Sequence, residues 1–211
     1  MSIRIGITGK ARSGKDTIGD IIECYCEERN IKFKRLAFAS AIKEFTNSFY
    51  GITEEVLDKD RYYLNTNNII CYNDFMHLFV YHFGCSSNVW SIYVKLINFN
   101  KNKRKTLREF LQFFGTDVLR KYDENIHIKS VENKLIDGVN IITDVRFDNE
   151  AEFVRNGGKL IHVERPNTTK ILSSKHSSEK GVVIKDGDYS LINSDLVILK
   201  NDVYKILEEI L

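Results

Sequence analysis

The sequence predicts an α/β chain, a mainly parallel sheet with helices on both faces, and three observations carry the prediction. Residues 3–8 are a short apolar run, then a glycine-bounded loop, then Ile18, Ile21, Ile22 and Tyr25 at helical spacing. Further short apolar runs stand at 139–144 and 159–164. A helical pattern that stops at Asn156-Gly157-Gly158 separates them. Strands alternating with helices in this way build a parallel sheet.

The first unit also carries a motif. Gly9-Lys10-Ala11-Arg12-Ser13-Gly14-Lys15-Asp16 fits G-x-x-x-x-G-K, with Asp16 where Ser or Thr usually stands. With a strand before it and a helix start after it, backbone N–H groups and the positive end of the helix make a phosphate cradle. Residues 9–17 are therefore the expected phosphate-binding loop of a P-loop NTPase fold, with Lys15 directed at phosphate.

Composition bounds the rest. A chain of 211 residues suits one domain, or one domain with an insertion, and 43% hydrophobic content suffices for a core. A net charge of +2 argues for neither nucleic acid nor membrane as partner. No apolar run approaches the roughly 18 residues of a membrane span and no signal segment opens the chain, so the expected location is cytoplasmic. Cys24, Cys26, Cys71 and Cys85 have poor zinc spacing and are expected as reduced, mostly packed thiols. His77, His82, His127, His162 and His176 show no metal-binding pairing.

In chain order, residues 32–38 read as the second strand and Ser40 as the cap of a helix with Ile42, Phe45 and Phe49 on one face, ending near Gly51. Lys43 sits in that helix's first turn, where a cation opposes the dipole but suits an anionic ligand. A short helix is expected at 53–60, a loop at 65–68, a helix at 74–83 and a solvated basic loop at 101–105. Residues 90–99 fit helix or strand equally. Residues 61–105 together are expected as an inserted or mobile subregion carrying a lid or part of a substrate pocket.

Thr106-Leu107-Arg108-Glu109 then fits a capping box, and Leu107, Phe110, Leu111, Phe114, Val118 and Leu119 form an apolar helical face. Gln112, Thr116 and Arg120 recur every four residues as one polar stripe, suited either to solvent or to a base and a phosphate. Gly115 within the helix suggests that something approaches the backbone there.

Asp123 is a candidate cap for a helix reaching Asp137-Gly138. The strand at 139–144 terminates in Asp144. Strand carboxyl ends face the ligand crevice of an open parallel sheet, so Asp144 takes the place of a Walker B acid beside the phosphate loop. Arg146 and Glu150 follow at the start of a helix. The strand at 159–164 stops at Arg165-Pro166. Residues 165–180, with Lys170, Lys175, His176 and Lys180, read as a solvent loop or a lid-like flap bringing cations over phosphate. Short strands at 188–193 and 196–199 and an amphipathic helix at 203–211 close the chain.

The chain resembles the bacteriophage deoxynucleoside monophosphate kinases. The resemblance rests on residues 9–17, on Leu111-Gln112-Phe113-Phe114-Gly115-Thr116-Asp117 with Arg120, and on Thr143-Asp144-Val145-Arg146-Phe147-Asp148-Asn149-Glu150. Phe38-Ala39 with Ile42-Lys43, Val163-Glu164-Arg165-Pro166 and His176-Ser177-Ser178-Glu179 add to it, and Gly-Lys-Asp looks like the family's own loop variant. It implies transfer of the ATP γ-phosphoryl group to a deoxynucleoside 5′-monophosphate, with Mg²⁺ as cofactor. By similarity residues 9–17 bind ATP, and Ile42, Lys43, Gln112, Thr116, Arg120, Asp144, Arg146 and Glu150 face the acceptor. The expected catalytic cations are Lys15, Arg146 and Arg165, and the candidate metal ligands are Asp16, directly or in favour of Thr17, and Asp144. Homodimer formation is left open. Two other readings remain: a kinase of another small phosphorylated acceptor such as phosphomevalonate, and a phosphate-loop module that binds nucleotide without transfer.

Overall fold

The computed structural model of the chain describes residues 2–52, 63–64, 70–84, 87–101, 106–166 and 181–211. The expected helix at 53–60, the loop at 65–68, most of the basic loop at 101–105, Cys85 and the flap with its cations at 167–180 lie outside them. The chain packs as two compact units, Met1–Phe38 with Val131–Leu211, and Ala39–Ser130. Residues 61–105 fall within the second unit.

The first unit holds β1 (Ser2–Thr8), α1 (Lys15–Glu28), β2 (Phe33–Leu36), β3 (Gly138–Val145), α8 (Asp148–Arg155), β4 (Gly158–Glu164), β5 (Tyr189–Ile192) and α9 (Leu196–Ile210). The five strands form one sheet in the order β2-β3-β1-β4-β5, and every pairing is parallel. After β1 the chain moves outward to β2, returns at β3 beside β1, then crosses to β4 on the other side of β1. The reversal therefore flanks β1, which is where ligands bind in such sheets.

Side chains of a strand alternate between faces, and β1 shows what each face meets. Ile5 and Ile7 pack with Ile18 and Ile22 of α1 and Leu199, Val203 and Leu207 of α9. Gly6 points the other way, where a Cβ would come within 2.8 Å of Val154 on α8. Helices thus cover both faces. A charged cluster ties β4 and α8 to the start of β5. Asp188 accepts from Arg155 Nη2 (2.6 Å), from the Lys185 N–H (2.9 Å) and from His162 Nε2 (3.1 Å). Burial alone would raise the Asp188 carboxyl, but these hydrogen bonds hold it down at about 2.

The second unit is helical: α2 (Ser40–Tyr50), α3 (Tyr72–Phe83), α4 (Val89–Lys101), α5 (Leu107–Gln112), a π-helix (Phe113–Leu119), the single turn α6 (Arg120–Tyr122) and most of α7 (Ile126–Glu132). Its core is aromatic. Phe45, Phe49, Phe75, Phe79, Phe110 and Phe114 are all buried, and Phe45 meets Phe49, Phe75, Phe79 and Phe114 ring against ring.

Three sequence expectations change, and one left open is decided. Ala39, with helical φ and ψ of −80° and −3°, is the cap of α2, so Ser40 lies inside the helix and caps nothing. The segment 90–99 is helix, within α4. Residues 196–199 open α9 instead of forming a strand: Asp195 accepts from the N–H groups of Val197 and Ile198, starting the helix there. Four apolar residues in a row carry no period that separates the two. The helix after Asp123 stops at Glu132, although the Asp123 side chain does accept from the Asn125 N–H. Of the described cysteines, Cys26 is buried, whereas Cys24 and Cys71 are exposed.

Candidate active site

In the first unit the loop at 9–14 leaves β1 through three residues with positive φ: Gly9 at +154°, Arg12 at +62° and Gly14 at +103°. A Cβ on Gly9 would collide with the Val163 carbonyl of β4 and approach Ser13 Oγ to 2.6 Å. A Cβ on Gly14 would collide with the side-chain amide of Asn193. That amide donates to the Ser13 carbonyl (2.9 Å), and the Asn193 N–H donates to the Glu164 carbonyl (2.7 Å). Both motif glycines are thus required by close approach, and the loop is clamped to the ends of β4 and β5.

Gly14 is the N-cap of α1 and, having no side chain, makes no side-chain cap. The first α-helical hydrogen bond runs from the Ile18 N–H to the Gly14 carbonyl (3.0 Å). The N–H groups of Lys15, Asp16 and Thr17 precede it and form the positive end of the helix. Lys15 Nζ donates back to the carbonyls of Gly9 (2.9 Å) and Lys10 (2.8 Å), which holds its ammonium against the loop. Lys10, Ala11 and Arg12 are exposed.

Asp16 projects from the first turn with its side chain 87% exposed, and Arg35 of β2 approaches its Oδ1 to 3.2 Å. Arg35 also pairs with Asp20 and Glu23. Burial lowers the Arg35 pKa, but these carboxylates more than offset it and leave the guanidinium above its ordinary range.

On the neighbouring strand β3, Val145 is in register with Thr8, so Asp144 stands beside the point where the loop leaves β1. Its Oδ1 accepts the Phe38 N–H at 2.7 Å. Arg146 is exposed immediately beyond. The 2% exposed Glu150 holds that corner, accepting the N–H groups of Arg146 (2.8 Å) and Phe147 (3.1 Å). Arg165 is exposed just past β4. The exposed Asp16 carboxylate, the Thr17 hydroxyl beside it and the half-buried Asp144 are hard oxygen donors of the kind Mg²⁺ takes alongside phosphate oxygens. The donor chemistry fits that ion.

The second unit carries the other predicted residues. Thr106 and Glu109 form the expected capping box, with both hydrogen bonds made (3.2 and 2.8 Å). The helix they start does not continue as α. From Phe113 to Leu119 it is a π-helix, and the Arg120 N–H reaches back to the Gly115 carbonyl. Gln112, Thr116 and Arg120 are half-buried on this element, and Arg120 Nη1 donates to the Glu124 carbonyl (3.3 Å). What approaches Gly115 is Ile42, whose Cδ1 would lie 2.6 Å from an added Cβ. Lys43 is half-buried on the first turn of α2. Ile42 and the Gly115 turn are therefore brought together.

Four participants escaped sequence reading: Arg35, Asn193, the Phe38 N–H and His127. Each meets its partner across a long stretch of chain or through a backbone atom, and no local spacing marks such contacts. His127, of which the sequence showed only that it has no metal-binding pairing, is 5% exposed and lies 3.2 Å from the Gly115 carbonyl.

The chain is 28% identical to the deoxynucleoside-5′-monophosphate kinase of Escherichia phage T5, over 97% of this chain and 95% of that protein. A shorter match, 34% identical over 44% of this chain and 55% of the relative, is to a candidate deoxynucleotide monophosphate kinase of Acanthamoeba polyphaga mimivirus. Among solved structures, dephospho-CoA kinase from Campylobacter jejuni aligns with 98% of this chain and 96% of its own, at 14% identity and a TM-score of 0.41. Residues 85–203, more than half of the chain, match the sequence model of one family. The chain belongs to the deoxynucleotide monophosphate kinases.

Proposed function

We propose that this kinase transfers the γ-phosphoryl group of ATP to deoxynucleoside 5′-monophosphates, with residues 9–17 holding the donor. The carrying observation is the phosphate loop: two glycines wedged against β4 and Asn193, an uncapped helix N-terminus, and Lys15 curled over the loop. By the family resemblance the acceptor-binding residues are Ile42, Lys43, Gln112, Thr116, Arg120, Asp144, Arg146 and Glu150.

The acceptor phosphate is largely ionised at neutral pH, so the reaction asks for alignment and charge stabilisation more than for a strong base. Lys15 contacts the β- and γ-phosphates, and the N–H groups of Lys15, Asp16 and Thr17 receive phosphate oxygens. Arg146 takes the acceptor phosphate, with its backbone fixed by Glu150, and Arg165 adds positive charge from the end of β4. Asp16 and Asp144 would hold Mg²⁺, whose chemistry when bound is to neutralise charge on the phosphate oxygens. The stripe of amide, hydroxyl and guanidinium at Gln112, Thr116 and Arg120 suits a base and a phosphate.

An acceptor panel with ATP tests the reading, measuring ADP release across the four deoxynucleoside monophosphates, their ribose counterparts and phosphomevalonate. Turnover with deoxynucleoside monophosphates is expected. Turnover with phosphomevalonate alone, or ATP binding with no diphosphate product, overturns it.

A further inference from the structure

The π-helix rests on a histidine that phosphoryl transfer does not itself require. His127 is buried in α7, with Nε2 3.2 Å from the Gly115 carbonyl. A carbonyl oxygen only accepts, so Nε2 carries the proton and Nδ1 is left with a lone pair. That Nδ1 is buried without a hydrogen-bond partner among the described residues.

The carbonyl that His127 binds also receives the Arg120 N–H, the bond reaching back five residues that keeps this turn from closing as α. Ile42 presses on the same glycine through its Cδ1. Gly115 is thus fixed by an imidazole and by an isoleucine, at the turn that sets the register between Thr116 and Arg120. π-Turns are rare and recur at functional sites. A conformation of that kind persists when its surroundings over-determine it. The unpartnered Nδ1 is an added cost, which argues that the ring is kept for what Nε2 does.

We propose that His127 is a positioning residue for acceptor recognition: by donating to the Gly115 carbonyl it holds the π register in which Thr116 and Arg120 meet the nucleotide. This rests on the reading of the 112–120 stripe as acceptor-binding.

The test uses His127→Leu, which keeps volume without a donor, and His127→Gln, whose amide restores a donor near the Nε2 position, with Arg120→Ala alongside. Steady-state kinetics give KM for acceptor and for ATP separately, and hydrogen exchange reports the Arg120 amide. His127→Leu should raise the acceptor KM by about tenfold, as expected for loss of one buried hydrogen bond. The ATP KM should stay within about twofold, and the Arg120 amide should exchange faster. His127→Gln should recover most of both effects. Equal changes for both substrates, or no recovery in His127→Gln, overturns the proposal. If Arg120→Ala raises the acceptor KM and His127→Leu does not, the role of His127 alone falls. If Arg120→Ala leaves it unchanged, the acceptor reading of the stripe falls first. Should His127→Leu not fold, ring ¹⁵N shifts of the wild-type protein decide: protonation at Nδ1 instead of Nε2 refutes the hydrogen bond on which the proposal depends.

Discussion

Acidification should loosen the second unit through His127, and the structure sets the size of the effect. Burial depresses the His127 pKa to about 4 from 6.5; the Arg120 charge pushes the same way, while the Gly115 hydrogen bond and Asp123 oppose it. A histidine depressed in the folded state stabilises the fold fully above its unfolded pKa, and that stability drains away as pH falls from 6.5 toward 4. At 1.36 kcal/mol per pKa unit, the loss is about 2 kcal/mol at pH 5 and about 3 kcal/mol below pH 4. Asp123 and Asp188 are also lowered, but their contributions fade only below the ordinary carboxylate range. The single tryptophan, Trp90, lies in α4 of the second unit and reports its unfolding. Urea unfolding followed by Trp90 fluorescence should show a falling midpoint between pH 7 and 5 in the wild-type protein and a much flatter one in His127→Gln. Equal slopes in the two proteins would refute the burial argument.

Three further outcomes are expected. Lys15→Ala should reduce turnover at least about a hundredfold, as for removal of one group that stabilises transition-state charge; near-normal kcat would remove Lys15 from the chemistry. Arg146→Ala should raise the acceptor KM more than the ATP KM, and an isolated rise for ATP would place this arginine on the wrong substrate. Asp188→Ala takes one carboxylate from Arg155, whose side chain is only 14% exposed and which keeps Glu152 at 2.7 Å, and also takes the acceptor from His162 and the Lys185 N–H; it should cost about 3 kcal/mol in thermal unfolding monitored by circular dichroism. A loss below about 1 kcal/mol would mean that the cluster at β4 and β5 relaxes into water.

Much of the fold was legible because its signals are local. The strand, loop and helix at 2–28, the strand ending at Asp144–Val145 and the box at Thr106–Glu109 each follow from spacing and turn chemistry within about ten residues. The π-helix was not legible. Gln112, Thr116 and Arg120 are spaced as an α stripe would be, and the extra residue in the turn depends on Ile42 and His127, which approach Gly115 from elsewhere in the chain. Residues 196–199 failed for a different reason. A run of apolar residues has no period, and the exposed Leu196, Val197 and Ile198 give no alternation to betray a helix. Asp195, a good N-cap, was the available clue.

The residue that looked like a flaw in the motif, Asp16, is best understood together with Arg35. An acid in the first turn agrees with the helix dipole, yet under the proposed function it stands where N–H groups receive a phosphate. At a separation of about 5 Å, two like charges repel by about 1 kcal/mol in water and by about 3 kcal/mol near a protein surface. A hydroxyl at this position would carry no such charge. Arg35 approaches Asp16 Oδ1 to 3.2 Å and its backbone carbonyl to 3.3 Å, which puts positive charge beside the acid, shared with Asp20 and Glu23. Gly19 allows the approach, because a Cβ there would lie 3.0 Å from the guanidinium. Glycine one turn along α1 and arginine on β2 therefore place a counter-charge beside the acid of the Gly-Lys-Asp loop. The acid at one motif position is thus tied to two residues outside the motif.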